Sequence, residues 1–124
     1  MNQLVTSYKE LIVWQKSVDL VIMVYALTEK FPSTERYQIS SQMQRAAVSI
    51  PSNIAEGSRR SSRKDFRNFL LMAFSSGAEL ETHITIVKRL PFGKNLNYRT
   101  CDTLLDEVMR ILNRMISSLR ANSE

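Results

Sequence analysis

Seven cations lie between residues 36 and 67 (Arg36, Arg45, Arg59, Arg60, Arg63, Lys64 and Arg67), against two anions, Glu56 and Asp65. The other 92 residues carry ten cations and ten anions, so this one segment holds the whole net charge of +5. Six of the seven are arginines, whose planar fork matches two phosphate oxygens at once. On a helix Arg60, Lys64 and Arg67 fall at i, i+4 and i+7 and form one stripe, with Arg63 and Arg67 as an overlapping pair. Arg59 and Arg60 sit in the turn before it, so the cations gather at one end of the fold. Such a stripe can track a nucleic-acid backbone. No base-reading motif, zinc finger or aromatic stacking platform accompanies it, so it would read charge and shape rather than sequence. The competing reading is a solvated face that aids solubility. Arg45 borders the core seam, where a buried pair with Glu79 or Glu81 competes with a phosphate contact.

Other chemistry is sparse. His83 follows Glu79 by four residues, so the two share a helix face. A di-iron bundle needs two Glu-x-x-His pairs and two further Glu; here Leu80 stands where the motif's Glu would be, and there is no second His. A surface or interface His is the expectation. Cys101 has no base to activate it, and the neighbouring Asp102 would raise its pKa, so it reads as an inert thiol. One Cys rules out an internal disulfide framework, and three Gly leave no loop to cradle a phosphate. The serines at 40, 41, 49, 52, 58, 61, 62, 75 and 76 lack any nucleophile-elbow context. Glu56, Glu79 and Glu81 among so many arginines are more simply ion-pair partners. No catalytic residue, cofactor or metal is expected, and the chain is read as not an enzyme.

The elements that must position the arginines are helical. The apolar period is 3.5 to 3.6 nearly throughout. A first seam runs Leu11, Trp14, Val18, Val21, Tyr25 and Thr28, ending before Phe31-Pro32. A second helix is expected from Ser33 or Thr34, with the seam Ile39, Met43, Ala46, Ile50 and Ile54, stopping at Gly57. A third opens at Ser61 or Ser62, with Asp65 completing a weak capping box, and runs Phe66, Leu70, Ala73, Gly77, Leu80, Ile84 and Val87. A fourth carries Leu104 or Leu105, Val108, Ile111, Leu112, Met115 and Leu119. Four helices with short connections predict an all-α, antiparallel up-down-up-down four-helix bundle. It forms one domain over residues 1–124, with a short tail over 1–8 and a fraying end over 121–124.

Pro51 falls inside the second helix, where it clashes with the carbonyl of Ala47; a kink there is expected, with two separate helices as the alternative. Gly77 in a helix interior implies close approach of a neighbouring helix, within the bundle or across a subunit contact. Apolar residues off the seams (Leu20, Ile22, Val24 and Leu27; Phe69, Leu71 and Phe74) exceed what a lone bundle can bury, which predicts a homo-oligomer. The start lacks the order of a signal peptide, and the longest apolar stretch, Leu20 to Leu27, is too short to span a bilayer, so no membrane association and a cytoplasmic location are expected.

Three stretches carry a family resemblance: residues 7–17 (Ser-Tyr-Lys-Glu-Leu-Ile-Val-Trp-Gln-Lys-Ser), residues 31–37 (Phe-Pro-Ser-Thr-Glu-Arg-Tyr), and Gln42-x-x-Arg45-Ala46-Ala47-Val48-Ser49-Ile50-Pro51-Ser52-Asn53-Ile54-Ala55-Glu56-Gly57. The likeness continues through Arg60, Phe66, Phe69-Leu70, Ala73, Ser76 and Glu79-Leu80-Glu81. The chain resembles the small bacterial four-helix bundle proteins encoded in intervening sequences of large-subunit ribosomal RNA genes. A distant branch is the accessory variability determinant of diversity-generating retroelements. The resemblance implies a ring-like pentamer with a basic surface and no established enzymatic activity. Taken with the charge pattern, the leading expectation is an RNA-associated, nucleic-acid-binding oligomer that contacts phosphates through Arg59, Arg60, Arg63, Lys64, Arg67 and Arg45; the alternative is an accessory scaffold that binds a reverse transcriptase or other protein partner. Asn53 and Glu56, just after Pro51, read as structural partners for carbonyls and arginines that the kink leaves unpaired.

Overall fold

The computed structural model describes residues 7–123. Its four helices are α1 (Ile12–Thr28), α2 (Ile39–Ser58), α3 (Arg63–Arg89) and α4 (Arg99–Ser123). Most of the expected tail over 1–8 lies outside the described residues; Tyr8–Glu10 form a 3-10 turn capped by the Ser7 hydroxyl. Helix α4 reaches Ser123, well into the stretch expected to fray, and Glu124 lies outside the described residues.

Each helix packs on its two neighbours and not across the diagonal. Cross-helix pairs fix the directions. Between α2 and α3, Ser49 meets Ser76 and Gly57 meets Phe69; between α3 and α4, Arg67 meets Ile116, Gly77 meets Met109 and Lys88 meets Asp102. In both sets one number rises as the other falls, so neighbours run antiparallel, and the fold is an all-α four-helix bundle. The core is a single cluster with Leu20, Val24, Met43, Ile50, Ile54, Leu70, Leu80, Val87, Val108 and Leu112 at its centre.

Four local expectations are corrected. In α1 the fully buried face is Val13, Ser17, Leu20, Val24, Leu27 and Thr28; of the expected seam only Thr28 lies on it, Leu11, Trp14 and Val21 pack partly buried against the core, and Tyr25 is exposed. The helix is apolar nearly all round, so two heptad frames fit its sequence and packing chooses between them. Ser17 enters the core at little cost because its hydroxyl donates to the Trp14 carbonyl at 2.8 Å. Leu20, Val24 and Leu27 are therefore core, and of that set only Ile22, 62% exposed, faces outward.

Helix α2 begins at Ile39 rather than at Ser33. After Pro32 the chain spends Ser33–Glu35 in a 3-10 turn, and Gln38 at φ −121°, ψ −109° interrupts the helical path. Gly57 does not end α2 in a left-handed residue. It is buried inside the helix, where a Cβ would lie 2.6 Å from the Phe69 Cβ, so its absence lets α2 and α3 touch. Gly77 plays the same part toward α4, where a Cβ would run into the Met109 sulfur, so the close approach is within the bundle.

Helix α2 is continuous through Pro51, which excludes two separate helices. The missing N–H leaves the Ala47 carbonyl without its usual donor, and the turn after it is tied down sideways. The Asn53 amide donates to the Ser49 carbonyl at 2.9 Å and to the Ser49 hydroxyl at 3.0 Å, and that hydroxyl shares a 2.8 Å hydrogen bond with Ser76 of α3.

Candidate functional site

The end of the bundle where α2 gives way to α3 gathers the sequence-predicted cations. Arg59 is the C-cap residue of α2, and its guanidinium lies 5.4 Å from the centre of the Tyr8 ring. Arg60 pairs with Glu56 at 2.6 Å and lies 4.8 Å over the Phe69 ring, so part of its charge is already answered. Ser62 caps α3 by accepting from the Asp65 N–H at 3.0 Å, as the capping box predicts. Arg63 and Lys64 then open α3, both exposed and with no hydrogen bond or ion pair. Two cations in the first turn stand against the positive end of the helix dipole, an arrangement that works against stability and strengthens the local positive field.

Arg67 and Arg45 depart from expectation. Arg67 is half-buried, and its Nε donates to the Ile116 carbonyl of α4 at 3.1 Å, so it ties two helices together. Arg45 is exposed and makes no ion pair with Glu79 or Glu81. It sits fourteen residues before Arg59 on α2, about 21 Å away along the axis at 1.5 Å per residue, and so stands apart from the cluster. Two cations that the sequence reasoning missed join instead. Because Arg67 meets Ile116, the last turns of α4 lie beside the first turn of α3, which brings Arg114 and Arg120 to the same end. Arg114 borders an apolar groove of Phe66, Met115 and Leu119. The antiparallel topology was the signal that could have found both.

The other candidates take no part in this end. His83 is buried at 7% exposure rather than on the surface, with Nε2 3.7 Å from Glu79 and Nδ1 without a partner. Among the described residues no three His, Cys, Asp or Glu side chains are grouped to hold a metal ion, and no helix is long and apolar enough to cross a membrane. Cys101 is buried, and burial first, then the Asp102 carboxylate, pushes its thiol up to about 11. The neutral thiol is the form the fold favours, so its contribution to stability is full below the unfolded-state pKa and is lost as pH rises from about 9 through about 11. Alkylation of the native protein should therefore keep accelerating past pH 10, whereas the urea-unfolded chain should plateau about two pH units earlier. Coincident profiles would show that the thiol is not held in this environment.

Comparison with known proteins gives this geometry a setting. None of the curated proteins matches the chain. Among solved structures, a protein of unknown function from the S23 ribosomal protein family of Bacteroides thetaiotaomicron shares the fold at a TM-score of 0.77 and 24% identity, covering 86% of this chain and 96% of that one. The family model described as 23S rRNA-intervening sequence protein matches residues 9–114, which include α1 to α3, most of α4 and every cation of the cluster but Arg120. The chain belongs to the family of 23S rRNA-intervening sequence proteins.

Proposed function

We propose that the protein is a non-enzymatic, homo-oligomeric bundle of the cytoplasm that associates with RNA through phosphate contacts at the α2–α3 end. The observation that carries this reading is the pair Arg63 and Lys64. They are exposed, unpaired and placed at the positive end of α3, where they weaken the fold unless an anion is bound. Arg59 and Arg114 lie at the same end of the bundle, and the family's description, which names 23S rRNA, makes RNA the natural anion. Exposed Ile22, Val48, Leu71, Met72 and Ile86 support an oligomer, since each leaves apolar area that a second copy would cover. Copies of the cationic end then act together on one nucleic acid, and avidity multiplies weak single contacts.

Reversing the two charges, R63E with K64E, tests the reading by fluorescence anisotropy on a structured RNA. Affinity should fall at least about a hundredfold, because each lost charge-assisted contact is worth roughly tenfold or more. Unchanged affinity would reduce the cluster to a solvated face. Light scattering should return a multiple of 14.3 kDa at micromolar concentration, and a monomer mass would refute the oligomer.

A further inference from the structure

At the opposite end of the bundle a cleft of about 520 Å³ opens between the last turn of α1 and the first turn of α2. That volume lies in the range of small-ligand sites. The exposed Tyr25 ring forms one wall and Pro32 another, while Ser40 and Gln44 of α2 line the interior. Ser40 is only 5% exposed, and its hydroxyl, which makes no hydrogen bond within the protein, is left open to the cleft. Helix α2 starts without a side-chain cap, and the backbone N–H groups of Ile39, Ser40 and Ser41 are left without partners. Arg36 and Glu29 also line the cleft, and neither forms an ion pair.

We propose that this cleft binds a nucleotide. Its phosphate belongs at the start of α2, where three free N–H groups, the positive helix end, the Ser40 hydroxyl and the Arg36 guanidinium converge on an anion. Its base belongs against Tyr25, with the Gln44 amide, already oriented by donating to Thr28 at 3.0 Å, offering its carbonyl oxygen to a base edge. Glu29 is placed to accept from ribose hydroxyls. A bare anion would leave the aromatic wall and the carboxylate unused, and an apolar ligand would leave Ser40 and Arg36 unanswered. This inference goes beyond the phosphate contacts proposed above, which lie at the other end of the fold, and does not depend on them.

The test is titration of the full chain followed by amide NMR signals of Ile39, Ser40 and Ser41. AMP should shift all three saturably and bind at least about tenfold more tightly than adenosine or inorganic phosphate, as one charge-assisted contact or one stacked base implies. R36Q should weaken AMP about tenfold. S40A should also weaken it while leaving the thermal midpoint unchanged, because the hydroxyl makes no hydrogen bond within the fold. A 5′-phosphorylated RNA tetranucleotide that displaces AMP identifies the occupant as a nucleotide of an RNA chain, and one that does not identifies it as a free nucleotide. The same shifts in an R63Q/K64Q variant separate this site from the cationic end. Failure of both AMP and the tetranucleotide to saturate at millimolar concentration overturns the proposal. So does phosphate binding as tightly as AMP with no effect of S40A.

Discussion

Gly57→Val should lower the thermal midpoint of the protein by roughly 10 °C. A Cβ at this position falls 2.6 Å from the Phe69 Cβ, an atom fixed to the α3 backbone, so α2 and α3 must separate to admit it. Overpacking of this kind costs about 1–3 kcal/mol. For a chain of this size each kcal/mol corresponds to about 4 °C. Gly77→Ala provides the contrast. There the obstacle is the Met109 sulfur, part of a flexible side chain, and the helix gains about 1 kcal/mol from losing a glycine. Its midpoint should stay within a few degrees of the parent. Circular dichroism melts of the two variants check both numbers, and a Gly57→Val midpoint at or above the parent's would contradict the packing described for α2 and α3.

The second large effect separates cations that hold the fold from cations left for a ligand. Arg67→Gln removes a donor from the Ile116 carbonyl between α3 and α4 and should destabilise by about 1–3 kcal/mol. Arg63→Gln with Lys64→Gln should do the opposite: relieving two charges from the positive end of α3 adds about 0.3–1 kcal/mol each, while RNA affinity falls roughly tenfold per cation. A rise in stability coupled to a loss of binding is the signature of residues kept for function. Urea melts and anisotropy titrations on the same samples read both sides. If the double variant loses stability together with affinity, Arg63 and Lys64 are part of the scaffold.

How much of this was legible in the sequence varies from helix to helix for physical reasons. The α3 seam was readable because it repeats three and four apart without a break from Phe66 to Val87, and Leu70, Ala73, Gly77, Leu80, Ile84 and Val87 are indeed buried. The α1 seam was not, because a helix apolar nearly all round states no preference between frames. The α2 start was displaced by a 3-10 turn, whose i→i+3 bonds satisfy the chain without continuing it. Of the candidate cations, Arg59, Arg60, Arg63 and Lys64 were legible because they are neighbours along the chain. The tie from Arg67 to Ile116, the isolation of Arg45 and the arrival of Arg114 and Arg120 depend on how α4 packs, and no local pattern encodes that. The cleft around Ser40 was invisible for the same reason: Tyr25 and Ser40 are brought together only when α1 and α2 fold back on each other.

That Arg63 and Lys64 meet phosphates is tested most directly by the salt dependence of binding. Each phosphate neutralised contributes about −0.7 on single strands and about −0.9 on duplex DNA to the slope of log affinity against log salt. Measured on one RNA from low to moderate salt, the R63Q/K64Q double variant should therefore show a slope shallower than the parent's by about 1.4–1.8 for every subunit engaged. Equal slopes for parent and variant would contradict the account.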